Sequence, residues 1–147
     1  MSNERTLAIV KPDAVRRGLI GEVVARFERG RLAVRGLRMV RLTKGEAERF
    51  YAVHRGRPFF DSLTTFMSSG PVVVMVLEGA EAIARARQIM GATDPAKAEP
   101  GTIRREFAES IERNAVHGSD SPGAAAVEVP YFFATVDLFP GSGAEDH

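Results

Sequence analysis

One candidate for a reactive side chain in this sequence sits among small polar residues. The run Asn114-Ala115-Val116-His117-Gly118-Ser119-Asp120 surrounds one of only three histidines in 147 residues. An imidazole can serve as a nucleophile or a proton carrier near neutral pH. Its flanking Gly, Ser and Asp predict irregular backbone rather than a helix interior. Gly118 permits a tight bend and the close approach of a ligand. Ser119 and Asp120 offer short hydrogen-bonding side chains that can also start a helix. The same residues would make an ordinary surface histidine in a turn, so the elements around them must decide.

Further candidates lie at the ends of the predicted elements. Residues 5–10 read as an apolar strand that Lys11-Pro12-Asp13 closes, because Pro12 keeps Lys11 extended and cannot continue a ladder. Lys11 therefore stands at the end of a core strand, a place where α/β sheets tend to hold ligands. Ile20, Val23, Val24 and Phe27 follow helical spacing that Gly30 ends. Residues 34–42 form a second strand, and Thr43 with Glu46 reads as a capping box. The helix it starts carries Tyr51 and His54 one turn apart; on spacing alone Tyr51 is a half-buried core tyrosine. A short helix follows from Phe59 to Met67. Its adjacent Phe59 and Phe60 cannot both face one core, so one of the two rings is free to stack on a base or to meet a partner.

Residues 72–77 are continuously apolar, as in a central strand buried on both faces. In the helix over residues 81–90, Arg85 points away from the apolar stripe and reads as solvated. Arg87 flanks that stripe and must pair or face a pocket. Residues 91–101 are a loop carrying Thr93. Thr102 caps a helix whose first turn holds Arg104 and Arg105, which oppose the helix dipole unless an anion lies near. A short helix is expected from Ser121 through Glu128 and a last strand over 131–138, giving four strands with helices between them. The pattern leaves open whether they pair in parallel or as an antiparallel split βαβ sheet. One domain is expected over residues 1–139, followed by a mobile tail over 140–147 that includes His147.

Composition removes several classes. With no cysteine, disulfides, thiolate metal sites and cysteine nucleophiles are excluded. The net charge of +1 argues for neither a nucleic-acid nor a membrane partner. The N-terminus lacks a signal-peptide pattern and the longest apolar run cannot span a bilayer, so a cytoplasmic protein is expected. P-loop, G-x-G-x-x-G, H-E-x-x-H and G-x-S-x-G patterns are all missing. What remains are cations at Lys11, Arg87 and Arg104, hydroxyls at Tyr51 and Thr93, the Asn114 amide, a free aromatic and His117. Phosphoryl transfer needs such positioning and charge stabilisation around one nucleophile.

The heptapeptide has the form N-x-x-H-G-S-D and resembles the signature of the nucleoside diphosphate kinase family. Residues 4–13 (ERTLAIVKPD), 57–61 (RPFFD), 69–73 (SGPVV), 90–95 (MGATDP) and 101–104 (GTIR) are similar to family segments in the family's order. The resemblance covers roughly residues 3–138. It implies an α+β, ferredoxin-like βαββαβ sandwich whose four-stranded antiparallel sheet has helices packed on it. It implies transfer of the γ-phosphoryl group of a nucleoside triphosphate, typically ATP, to a nucleoside diphosphate. The expected route is ping-pong through a phosphohistidine at His117, with Mg2+ on the nucleotide phosphates rather than on protein ligands. By the same resemblance Phe59 stacks on the base. Lys11 and Asn114 bind the ribose and nearby phosphates, and Arg87, Thr93 and Arg104 hold the phosphates. Tyr51 packs near His117, and Glu128, supported by Ser119, orients the imidazole. Asp120 is then expected as a structural cap. A homo-oligomer, tetramer or hexamer, is implied. One departure is local: the family usually has glycine where this chain has Arg31. A binding module without catalysis and a ferredoxin-like nucleic-acid binder are the competing readings. Nucleotide binding without phosphohistidine would mark the first, and strongly salt-dependent oligonucleotide binding the second.

Overall fold

The computed structural model describes residues 3–139; the expected tail over 140–147 lies outside the described residues. The elements run β1 (Asn3–Val10), α1 (Pro12–Arg16), α2 (Ile20–Arg29), β2 (Ala33–Val40), α3 (Lys44–Phe50) and α4 (Phe60–Met67). Then come β3 (Val72–Ala80), α5 (Ala82–Met90), α6 (Ile103–Phe107), β4 (Val116–Gly118) and α7 (Pro122–Phe132). The four strands lie in the order β2-β3-β1-β4 with every pair antiparallel. This is the ferredoxin-like α+β arrangement, with α3 and α4 inserted between β2 and β3. No helix among the described residues is long and apolar enough to cross a membrane.

Alternation along the two central strands builds two cores. Ala8, Val10, Val73, Met75 and Leu77 face α2 and α5, where Val23, Phe27, Ala86 and Met90 cover them. Leu7, Ile9, Val72, Val74 and Val76 face the other side and meet Ala47, Tyr51, Met67 and Phe132. Burial on both faces is why β1 and β3 read as continuous apolar runs. The Thr43 capping box forms as expected: Thr43 Oγ1 accepts from Glu46 N at 3.1 Å, and Glu46 Oε1 accepts from Thr43 N at 2.8 Å.

The fourth strand is not where the pattern put it. Residues 131–138 do not form a strand: α7 runs to Phe132, and Thr135–Asp137 is a 3-10 turn. Aromatic and β-branched composition suggested a strand there, but Phe132 and Phe133 are buried in the second core instead. Gly36 of β2 makes room for this segment, since a Cβ there would lie 2.8 Å from Leu138 and 3.0 Å from Phe133. The sheet is completed by the histidine run itself, as β4. His117 is thus in a strand rather than in irregular backbone. Gly118 ends this strand instead of making a bend: a Cβ on it would meet Met90 Cε at 2.4 Å, so it lets α5 pack against β4.

Smaller corrections follow from local hydrogen bonds. Pro12 starts the short α1 rather than merely ending β1. The cap of α7 is Ser121, whose Oγ accepts from Ala124 N at 3.0 Å, and not Asp120. Arg85 is half-buried and donates to the Gly30 carbonyl at 3.4 Å, so it is not simply solvated. Helix α2 closes in a Schellman motif: Leu32 N donates to Phe27 O and Arg31 N to Glu28 O. Arg31 takes the left-handed position at φ 67°, where glycine is the usual residue.

Candidate active site

Register sets the direction of the histidine. His117 pairs with Ile9, so its side chain lies on the face covered by α3 and α7. There its ring meets Phe50 edge-on at 5.3 Å and Tyr51 at 5.8 Å between centroids. His117 Nε2 lies 3.0 Å from Glu128 Oε1 of α7. Against a carboxylate, Nε2 carries the proton and Nδ1 is left with its lone pair. Ser119 Oγ donates to the same Glu128 oxygen at 2.8 Å and accepts from Leu7 N at 3.3 Å. The carboxylate is therefore held from below while it holds the imidazole. Tyr51 is 5 % exposed and its hydroxyl is buried with no hydrogen-bond partner among the described residues. Burial, with the Glu128 charge behind it, pushes the Tyr51 pKa up and keeps that hydroxyl a neutral donor.

The cations converge beside β4. Lys11 continues the ladder, its N–H donating to Ala115 O at 2.9 Å. Its ammonium donates to Asn114 Oδ1 at 2.8 Å, and Asn114 Nδ2 donates to Thr93 O at 3.2 Å. Burial, and then the Arg104 charge, bring the Lys11 pKa down to about 8. Arg104 is buried, donating to Gly91 O and Val116 O at 2.9 Å each. Burial and the neighbouring Arg87 charge lower its pKa to about 10. Positive groups that depress one another's protonation define a place where an anion is welcome. Arg87 is exposed and lines a cleft of about 500 Å3 with Gly91, Thr93, Lys97 and Thr102. A second cleft of about 390 Å3 lies at the far end of the sheet, near Arg31 and Glu78, and contains none of these residues.

Aromatic rings link the two ends of the site. Tyr51 stacks near His54 at 6.3 Å, and His54 lies 5.3 Å from the Phe59 ring. Phe59 is 44 % exposed, whereas Phe60 packs against the second core. The two rings that spacing could not tell apart are separated in this way. Phe50, Asp13 and the backbone at Ala115 touch the site residues but were not singled out by sequence. Phe50 read as part of a core stripe, and nothing in local sequence distinguishes it. Ala115 has φ 73°, and Val116 N donates to Asn114 O at 2.8 Å across it. That is a tight three-residue turn of a strained kind, costing a non-glycine residue about 1–2 kcal/mol.

Comparisons with known proteins identify the family. A family profile described as "Nucleoside diphosphate kinase" matches residues 4–138. A nucleoside diphosphate kinase of Nitrosospira multiformis is 60% identical over 95% of this chain and 99% of its own. One of Desulfosudis oleivorans is 63% identical over 92% of this chain and 97% of its own. Among solved structures, the Aquifex aeolicus nucleoside diphosphate kinase superposes with a TM-score of 0.92 at 45% identity, covering 94% of this chain and 100% of that one. That of Halobacterium salinarum in complex with CDP has a TM-score of 0.91 at 42% identity, covering 98% of this chain and 97% of that one. By fold and by sequence along nearly its whole length, the chain belongs to the nucleoside diphosphate kinase family.

Proposed function

We propose that this chain transfers the γ-phosphoryl group of a nucleoside triphosphate, typically ATP, to a nucleoside diphosphate through a phosphohistidine on His117. One observation carries the reading: Nε2 is held by Glu128 at 3.0 Å, which leaves Nδ1 as the nucleophile. The Nδ1 lone pair attacks the γ-phosphorus as the bond to the β–γ bridging oxygen breaks, and the diphosphate leaves with that electron pair. An acceptor diphosphate then attacks the same phosphorus through a terminal oxygen of its β-phosphate, and the N–P bond breaks. Glu128 opposes the positive charge that grows on the ring, in the manner of a triad carboxylate, and Ser119 holds Glu128.

Lys11, Arg87, Thr93, Arg104 and Asn114 hold phosphates and ribose in this scheme, and Tyr51 packs against the imidazole. Stabilising charge on the moving group is the main source of rate, and a single donor is worth on the order of 10²–10³ in turnover. Phe59 stacks on the base. Stacking reads no base edge, so many nucleotides are accepted. A divalent metal ion, Mg2+ in this reading, would come bound to the nucleotide and would add its charge to that of Lys11, Arg87 and Arg104. The working unit is one domain over residues 1–139 in the cytoplasm. It assembles as a homo-oligomer, tetramer or hexamer. Leu37 and Met39 are exposed on edge strand β2, an apolar face suited to a second copy. A light-scattering mass measures the assembly.

The direct test is brief exposure to triphosphate labelled at the γ-phosphate. A labelled adduct on His117, acid-labile and stable to alkali, is expected. His117→Ala is expected to fold and to lose essentially all transfer. Folded wild-type protein that takes no label refutes the proposal.

A further inference from the structure

The backbone between Asn114 and His117 is strained, and a buried carboxylate outside the mechanism above holds it. Asp13, in the first turn of α1, is 2 % exposed. Its Oδ2 accepts from Ala115 N at 3.1 Å. Ala115 O in turn accepts from Lys11 N at 2.9 Å. Both polar groups of this left-handed residue are thus tied to the segment that closes β1. Just before Ala115 is Asn114, whose side chain receives the Lys11 ammonium. Just after it begins β4, which carries His117. The other oxygen of Asp13, Oδ1, is buried without a hydrogen-bond partner among the described residues. A buried carboxylate with one unpartnered oxygen is a costly group, and its position between a strained turn and a buried ammonium gives it a use.

Resting on the kinase reading, we propose that Asp13 is a positioning residue for phosphoryl transfer: it holds the Ala115 turn and sets its charge against Lys11, so that Asn114, Lys11 and His117 meet the phosphates in one frame. The groups whose charge acts on Lys11 come from three places: Arg104 of α6, Asp13 of α1 and Glu112 of the loop before β4. Asp13 and Glu112 favour the ammonium, while Arg104 and burial oppose it. Burial raises the Asp13 pKa, and Lys11 and the Ala115 N–H work against that rise. Without the carboxylate, the turn relaxes toward ordinary backbone angles and the Asn114 amide shifts. A misplacement of about 1 Å around a reacting group costs on the order of 10²-fold in rate.

Single-turnover phosphorylation of His117 by labelled triphosphate tests this in wild type, Asp13→Ala and Asp13→Asn. Amplitude counts sites able to react, and the rate constant reports how well each reacts. Asp13→Ala is expected to keep full amplitude with a rate constant lowered by about 10²-fold. A wild-type rate constant overturns the proposal, whether amplitude is full or reduced; reduced amplitude at that rate means Asp13 only helps the chain fold. Asp13→Asn keeps an acceptor for Ala115 but no charge toward Lys11. It is expected to react more slowly than wild type near neutral pH, though by less than Asp13→Ala, with its alkaline limb moved to lower pH. Should Asp13→Ala fail to fold, an Asp13→Asn limb unchanged from wild type overturns the proposal. A wild-type protein that never labels refutes the kinase reading instead.

Discussion

Removing the Glu128 carboxylate should slow both half-reactions without removing the site. In Glu128→Ala the His117 Nε2–H loses its acceptor at 3.0 Å and Ser119 Oγ loses the one at 2.8 Å. The ring can then turn, exchange tautomers and carry developing positive charge with no carboxylate beside it. Hydrogen bonds to a charged group contribute about 1.5–3 kcal/mol, which corresponds to a loss of about 10–150-fold in rate. Glu128→Gln keeps an acceptor oxygen and loses the charge. Charge-assisted bonds are roughly twice as strong as neutral ones, so the loss should be about 3–10-fold. Rapid-quench measurement of His117 phosphorylation by triphosphate, and of its discharge by diphosphate, gives the two rate constants separately. Both should fall together, because the same ring accepts and then releases the group. Ser119→Ala should cost much less in the Glu128→Ala background than in wild type, since the hydroxyl acts through the carboxylate. Glu128→Ala reacting at the wild-type rate in both directions would show that the imidazole needs no orienting partner, and the mechanism would fail.

Four further outcomes follow from three separate parts of the structure. The Lys11 pKa is about 8 in the fold against 10.5 for a free lysine, so between these values the unfolded chain binds more protons and stability gained from this group rises with pH. The stability difference between wild type and Lys11→Met in denaturant titrations should therefore shift toward wild type from about pH 8 to about pH 10.5, and a constant difference would contradict the burial argument. Transfer should show the opposite trend, falling as Lys11 loses its charge above about pH 8 in the free enzyme. Arg31→Gly relieves a left-handed residue at φ 67° and should stabilise by about 1 kcal/mol; an unchanged melting temperature would refute the strain. Phe59→Ala should weaken nucleotide binding by about 1–3 kcal/mol, alike for purines and pyrimidines, and a loss confined to one base would contradict stacking as its role.

The architecture was legible wherever one strand or helix carried its own signal. Residues 72–77 announced a strand buried on both faces because each face has its own core. The Thr43 box announced a helix start because capping is local chemistry. β4 was not legible, and the reason is physical. A strand of three residues is too short for a period of two to show, and it exists because β1 has a free edge with donors and acceptors to satisfy. Residues 131–138 misled for the complementary reason. Their composition suits a strand, yet Gly36 on a different strand decides where Phe133 and Leu138 pack. Neither fact can be read within either segment.

The site divides along the same line. His117, Lys11 and Arg104 were visible because a reactive or charged group at the end of an element needs a reason to be there, and Arg87 because it flanks the apolar stripe of its helix. Glu128 was reached through resemblance, since a glutamate in a helix looks like any solvated residue until the fold sets it 3.0 Å from the imidazole. Asp13 and Ala115 were invisible for a further reason: their roles reside in the backbone. The alanine adopts a conformation its side chain disfavours, and the aspartate that stabilises it is 102 positions away in sequence. A positive charge at a site can be anticipated from residue type. The turn that aims it cannot, because its stability comes from a contact between two segments that only the completed sheet brings together.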